Sequence, residues 1–290
     1  MNESGSISQT RRALETLRTT AWCLIAYCLL QLGLASTASW LGSLDLPRGV
    51  WRSNRPALNL WLLGSVEISI LGGLSLIQLS SHTSWFGTST ASTRPWGIAR
   101  ALVLGLLVGL ALKIPADALR ELIEWMWPTP IEQQLAQEAL LQHDNLLETA
   151  TLFLVVGLLG PIVEEVFYRG PILGSYERNV GRFSALCLSS IAFALSHASA
   201  RDWLPLGVVA LALGYLRSAS SGLWASITAH AAFNSAAIVL LISDVSVQVT
   251  QSWLWRGLAV LSILLCWFLF RRIDPDPKPL RVAGVESSDS

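Results

Sequence analysis

Apolar stretches long enough to cross a bilayer recur eight times along the chain, at about 21–41, 57–79, 98–115, 149–173, 182–199, 203–219, 222–243 and 252–270. Inside hydrocarbon a backbone must satisfy its own N–H and C=O groups, so each stretch reads as a helix. Composition agrees: of 290 residues 52% are apolar and 14% charged, and mean hydropathy is +0.50, which is too apolar for one soluble domain. The expected fold is all-α, a polytopic transmembrane helix bundle of about eight spans with an intramembrane polar cavity.

Charge says little about partners beyond lipid. Lys plus Arg equals Asp plus Glu, the net charge is +0, and no nucleic acid is expected. Position is more telling. Arg11, Arg12, Arg18, Arg178, Arg182, Arg217, Arg271 and Arg272 fall on the side that carries both termini if there are eight spans. The opposite loops hold fewer, with Arg48, Arg52 and Arg55 a dissenting cluster, so the termini are expected in the cytoplasm. Tryptophans such as Trp61, Trp96, Trp203 and Trp224 sit near span ends, as interfacial anchors do. The cysteines, Cys23, Cys28, Cys187 and Cys266, lie in apolar runs without CxxC spacing and read as small packing residues.

Five segments follow. Residues 1–20 form a polar leader, 21–145 hold the first spans and two interfacial helices in the 116–148 loop, and 146–244 hold the polar core. A last span occupies 245–272, and 273–290 is a disordered tail. A cleaved signal is the competing reading of the first span, since it follows basic residues and precedes STAS.

The core segment carries charges that lipid should reject. Glu164, Glu165 and Arg169 interrupt PIVEEVFYRG, and at roughly 3 kcal/mol each they would cost ~9 kcal/mol unpaired. Gly160 and Pro161 suggest a break in the span and a new half-helix whose first turn favours carboxylates. Glu165 and Arg169 are spaced i, i+4, acid first, and form the expected ion pair. Glu164 lies about 100° around the helix and is left free, a candidate general base. His197 ends FALSH, four residues after Phe193, and His230 and Asn234 share one helix face in HAAFN. Helix rise puts Glu164 roughly 14–16 Å deep, His197 roughly 20–23 Å, His230 about 12 Å and Asn234 about 18 Å, within reach of one cavity. Glu67, in GSVEISI, is a further intramembrane carboxylate, read either as a packing hydrogen bond or as part of the cavity.

EEVFYR at 164–169, FALSH at 193–197 and HAAFN at 230–234 resemble the EExxxR, FxxxH and HxxxN/D motifs of the CPBP family. These are intramembrane glutamic endopeptidases related to type II CAAX prenyl proteases and to bacteriocin self-immunity (Abi) proteins. The resemblance covers about 146–244. It implies that Glu164 activates a water with help from His197, that His230 and Asn234 stabilise an oxyanion, and that Glu165 and Arg169 support the site. It also implies a peptide or lipidated-protein substrate, no cofactor, and a plasma or internal membrane of a bacterium. Three alternatives remain open at this level. One is a zinc protease with Glu164, His197 and His230 as ligands, another a non-catalytic scaffold or immunity-like protein, and the third a transporter, although no internal repeat supports it.

Overall fold

The computed structural model describes residues 3–43, 55–81, 96–141, 143–197 and 199–243, with isolated positions between 257 and 268. The span expected at 252–270 therefore lies largely outside the described residues, and the tail 273–290 lies wholly outside them. Among the described residues every regular element is helical: α1 (Glu3–Ser43), α2 (Arg55–Ser81), α3 (Ile98–Met126), α4 (Ile131–Leu140), α5 (Leu146–Leu154), α6 (Gly160–Phe167), α7 (Leu173–Val180), α8 (Arg182–Leu195), α9 (Trp203–Ser220) and α10 (Trp224–Ile242). Two π-helical turns, Val155–Leu159 and Tyr168–Ile172, join α5 to α6 and α6 to α7, and a 3₁₀ turn, Ala200–Asp202, leads into α9.

Among the described residues six helical segments are long and apolar enough to cross a membrane: Gln9–Thr37, Ala57–Gln78, Ile98–Met126, Leu146–Val180, Ala200–Ser220 and Trp224–Ile242. The chain is an integral membrane protein. The span expected at 182–199 is a helix of only 14 residues, α8, about 21 Å long and too short to cross alone. The expected count of eight is thus six among the described residues. The polar leader is helical from Glu3, where α1 begins. The 116–148 loop is not two separate interfacial helices. Its first half continues α3 through Pro115 to Met126, and at 29 residues the helix is about 43 Å long, which carries it beyond the ~30 Å core. Only α4 stands apart, and Trp125 at 80% exposure lies at the emerging end of α3.

The expected break at Gly160–Pro161 is absent. Leu159 (φ −68°, ψ −46°) and Gly160 (φ −54°, ψ −59°) stay right-handed, and Gly160 N–H donates to Val155 C=O, a five-residue step. A widened turn precedes Pro161, and another contains Pro171. Widening keeps each proline ring clear of the preceding turn, so the helix bulges rather than ends. Glu164 and Glu165 therefore sit inside a continuous helix, without the fresh N-terminus that the sequence suggested.

A small core of Leu60, Leu152, Val155 and Ile238 lies at the first π turn, and two larger cores flank this bulged helix. One gathers Ala26, Leu71, Phe167, Ile172, Phe193 and Ala210 from α1, α2, α6 to α9 and the second π turn; the other gathers Val108, Leu112, Leu213, Ala225 and Ala229 from α3, α9 and α10. The α3–α10 packing is unusually close, because a methyl group on Gly105 would stand 2.5 Å from Ala225 O and one on Gly109 2.1 Å from Ala229 O. Small residues four apart let two backbones approach where lipid supplies no hydrophobic drive between helices. Gly181, at φ 83°, takes the left-handed turn that folds α8 back on α7.

Candidate active site

Glu165 and Arg169 form the expected pair. Arg169 NH1 lies 3.4 Å from Glu165 Oε1, and the two side chains are 1% and 0% exposed. Arg169 NH2 also donates to the carbonyl of Ala210 in α9 at 3.1 Å, and its guanidinium carbon stands 4.6 Å above the Phe193 ring in α8. One buried cation thus ties α6, α8 and α9 together. The ion pair, the single hydrogen bond and the ring face together offset the loss of water.

His230 sits between the adjacent glutamates. Its Nδ1 donates to Glu165 Oε1 at 3.1 Å, and its Nε2 lies 3.5 Å from Glu164 Oε2. Glu165 is therefore held by a guanidinium and an imidazole at once. Glu164 keeps a more open face: it is 13% exposed where His230 is 5%. A carboxylate holding one imidazole nitrogen fixes the ring so that the other faces the reacting groups.

His197 donates from Nδ1 to Phe193 C=O at 3.0 Å, which leaves Nε2 as the nitrogen with a lone pair. The chain end bearing it is pinned by Trp203 Nε1 donating to His197 C=O and Gln31 Nε2 donating to Ser196 C=O, both 2.9 Å. Phe193 is the hub that sequence reading undervalued. Its ring centroid lies 5.0 Å from His197, 5.7 Å from His230 and 5.3 Å from Tyr168. These rings and Arg169 surround one aromatic face, so the first residue of FALSH orients both histidines.

Asn234 faces the bulged helix. Its Nδ2 donates to Val156 C=O in the first π turn at 2.8 Å. In the five-residue register Val156 faces Pro161, which has no N–H, so the asparagine supplies the donor that proline lacks. One amide N–H is thereby spent on the backbone, and the other remains for chemistry.

Glu67 joins the cluster as well. Its Oε2 lies 4.0 Å from where a methyl group on Gly160 would stand, one helical turn before Glu164, and its charge acts on Glu164 and His197. A cavity of about 380 Å³ opens between α8 and α9, lined by residues such as Ile191, Leu195, Leu204 and Val208; it is apolar, and none of the six motif residues lines it. Among the described residues no set of three His, Cys, Asp or Glu side chains converges as a metal site would.

Comparison with known proteins places this cluster in a family context. Residues 146–236 match the family described as type II CAAX prenyl endopeptidase Rce1-like. The chain is 26% identical over 94 residues to a Bacillus subtilis (strain 168) protein named "Putative membrane peptidase YdiL", a match spanning 32% of this chain and 38% of that one. No solved structure gives a significant match. The resemblance carried by EEVFYR, FALSH and HAAFN therefore holds: over 146–236 this chain is similar to the Rce1-like family of type II CAAX prenyl endopeptidases.

Proposed function

We propose that this protein is an integral membrane endopeptidase that hydrolyses a peptide bond with water activated by Glu164. The observation that carries the reading is the division of labour between adjacent carboxylates. Glu165 is consumed by Arg169 and His230, while Glu164, beside His230 Nε2, keeps an open face.

In this mechanism the lone pair on His197 Nε2 accepts a hydrogen bond from the water and orients it. Glu164 takes a proton from that water as its oxygen bonds to the scissile carbonyl carbon, and the C=O electron pair moves onto oxygen. His230, which donates from Nε2 as an imidazolium while Glu165 holds its Nδ1–H, and the remaining N–H of Asn234 donate to the oxyanion, each donor being worth about 3 kcal/mol in typical sites. When the tetrahedral intermediate collapses, the C–N bond breaks and the proton held by Glu164 passes to the leaving nitrogen. No cofactor takes part. The substrate is a peptide segment or lipidated protein presented from the bilayer, in a bacterial membrane with both termini of the enzyme in the cytoplasm.

The test is a comparison of membrane proteomes from cells carrying the wild type and Glu164→Ala. Precursors that persist uncleaved only in the variant support the reading. Identical processing would remove it and favour the scaffold alternative, in which the fold is kept and no bond is cut.

A further inference from the structure

Glu67 lies outside the three motifs, nearly a hundred residues before Glu164, yet the fold brings the two carboxyl groups together. The approach depends on two glycines. A methyl group on Gly64 would stand 2.4 Å from Val155 Cγ1, and one on Gly160 would stand 3.2 Å from Val155 O and 4.0 Å from Glu67 Oε2. Gly64 lets α2 settle on the first π turn, and Glu67, three residues later on the same face, arrives beside Gly160 and Glu164. Glu164 follows Gly160 by one helical turn, so the carboxyl group that meets Gly160 also bears on Glu164. Two carboxylates brought together away from water cannot both ionise, so one proton is held between them.

We infer that Glu67 is a positioning residue that forms a proton-sharing carboxyl pair with Glu164. The shared proton leaves the pair with a single negative charge, which is the state a base needs, and a donor that orients the basic oxygen. Two carboxylates with two roles on one proton is a recurrent way of running acid and base chemistry at neutral pH. In the hydrolysis proposed above, on which this inference rests, the proton taken from water joins the pair and leaves it on the scissile nitrogen, so the pair ends the cycle with the one proton it began with. The groups that interact with Glu67 are Glu164 from the bulged helix and His197 from the end of α8, and those that act on Glu164 in turn are Glu165, Arg169 and His230. Of the other helices beside α2, the charges of α1 all precede Thr19, Glu132 and Glu138 of α4 are exposed, and Glu148 of α5 is buried at the start of its helix, where it accepts from Asp144 N–H at 2.9 Å.

The experiment is infrared spectroscopy of the full-length protein in detergent micelles at neutral pH, in water and deuterium oxide, following the C=O stretch of protonated carboxyl groups. Wild type is expected to show a band that shifts or disappears in both Glu67→Gln and Glu164→Gln, because removing either member removes the partner that shares the proton. A band left unchanged in Glu67→Gln, or one missing from the wild type, overturns the inference. Glu67→Asp, with circular dichroism to verify helix content, keeps the test valid if glutamine perturbs folding: it is expected to retain a shifted band, and loss of the band in a folded Glu67→Asp protein counts against the pair. This readout needs no substrate. A peptidase lacking the pair keeps Glu164-dependent processing without the band, and a non-catalytic protein shows the band without processing.

Discussion

Asn234 donates its side-chain N–H to the carbonyl of Val156 at 2.8 Å, across from the proline that leaves that carbonyl without a helical partner. Removing the donor strands a polar group inside a bilayer helix, which costs about 1–3 kcal/mol. Asn234→Ala is therefore expected to lower stability by that amount in denaturant titrations of the micellar protein. Pro161→Ala restores an N–H, so the double variant should lose less than the sum of the single losses; strict additivity would show that the two residues are not linked.

Arg169 and Glu165 make a fully buried pair in which each also has other partners. Truncating one member leaves a charge uncompensated, at a typical cost of about 3–5 kcal/mol. Arg169→Met should show that loss in unfolding measurements. Adding Glu165→Gln removes the orphaned charge and should recover part of the stability. Processing should stay impaired in both proteins, because Glu165 loses the guanidinium that holds it in the first and His230 loses the carboxylate that orients it in the second.

Gly109 faces Ala229, one residue before His230, and a methyl group there would meet the Ala229 carbonyl oxygen at 2.1 Å. The backbone of α10 cannot yield as a flexible side chain would. Gly109→Ala is expected to push α10 away from α3, with a stability cost of about 1–3 kcal/mol and slower processing through displacement of His230. Equal stability and equal processing in the variant would show that α3 does not set the position of α10.

These elements differ in how visible they were beforehand. The Glu165–Arg169 pair was legible because it is local: residues four apart on a helix meet whatever surrounds them. His230 and Asn234 were correctly placed on one face, but their separate partners, Glu165 with Glu164 and Val156, depend on which helix lies opposite. Pro161 was misread as a break. The same residue signals an interruption or a widened turn, and the choice is made by whether a neighbouring helix supplies the missing donor. Glu67 was visible as an intramembrane carboxylate, while its partner was not, since nothing in GSVEISI says that α2 packs on the bulge. The close contact of α3 did leave a signal, the glycines of GLLVG at 105–109.

Chelation separates the proposed mechanism from a zinc-dependent one that would use Glu164, His197 and His230. After exhaustive treatment with chelator, the wild-type protein in liposomes should cleave a substrate precursor at its untreated rate. Complete loss of cleavage, restored only by zinc, would contradict a Glu164-activated water acting without metal.

The most direct measurement compares wild type and Glu164→Gln, each reconstituted in liposomes, on a precursor that accumulates in cells carrying Glu164→Ala. General-base catalysis is typically worth 10²–10⁴ in rate, so the account predicts that Glu164→Gln cleaves at least about 100-fold more slowly while its helix content and unfolding midpoint stay at wild-type values. Equal cleavage rates for the two folded proteins would contradict it.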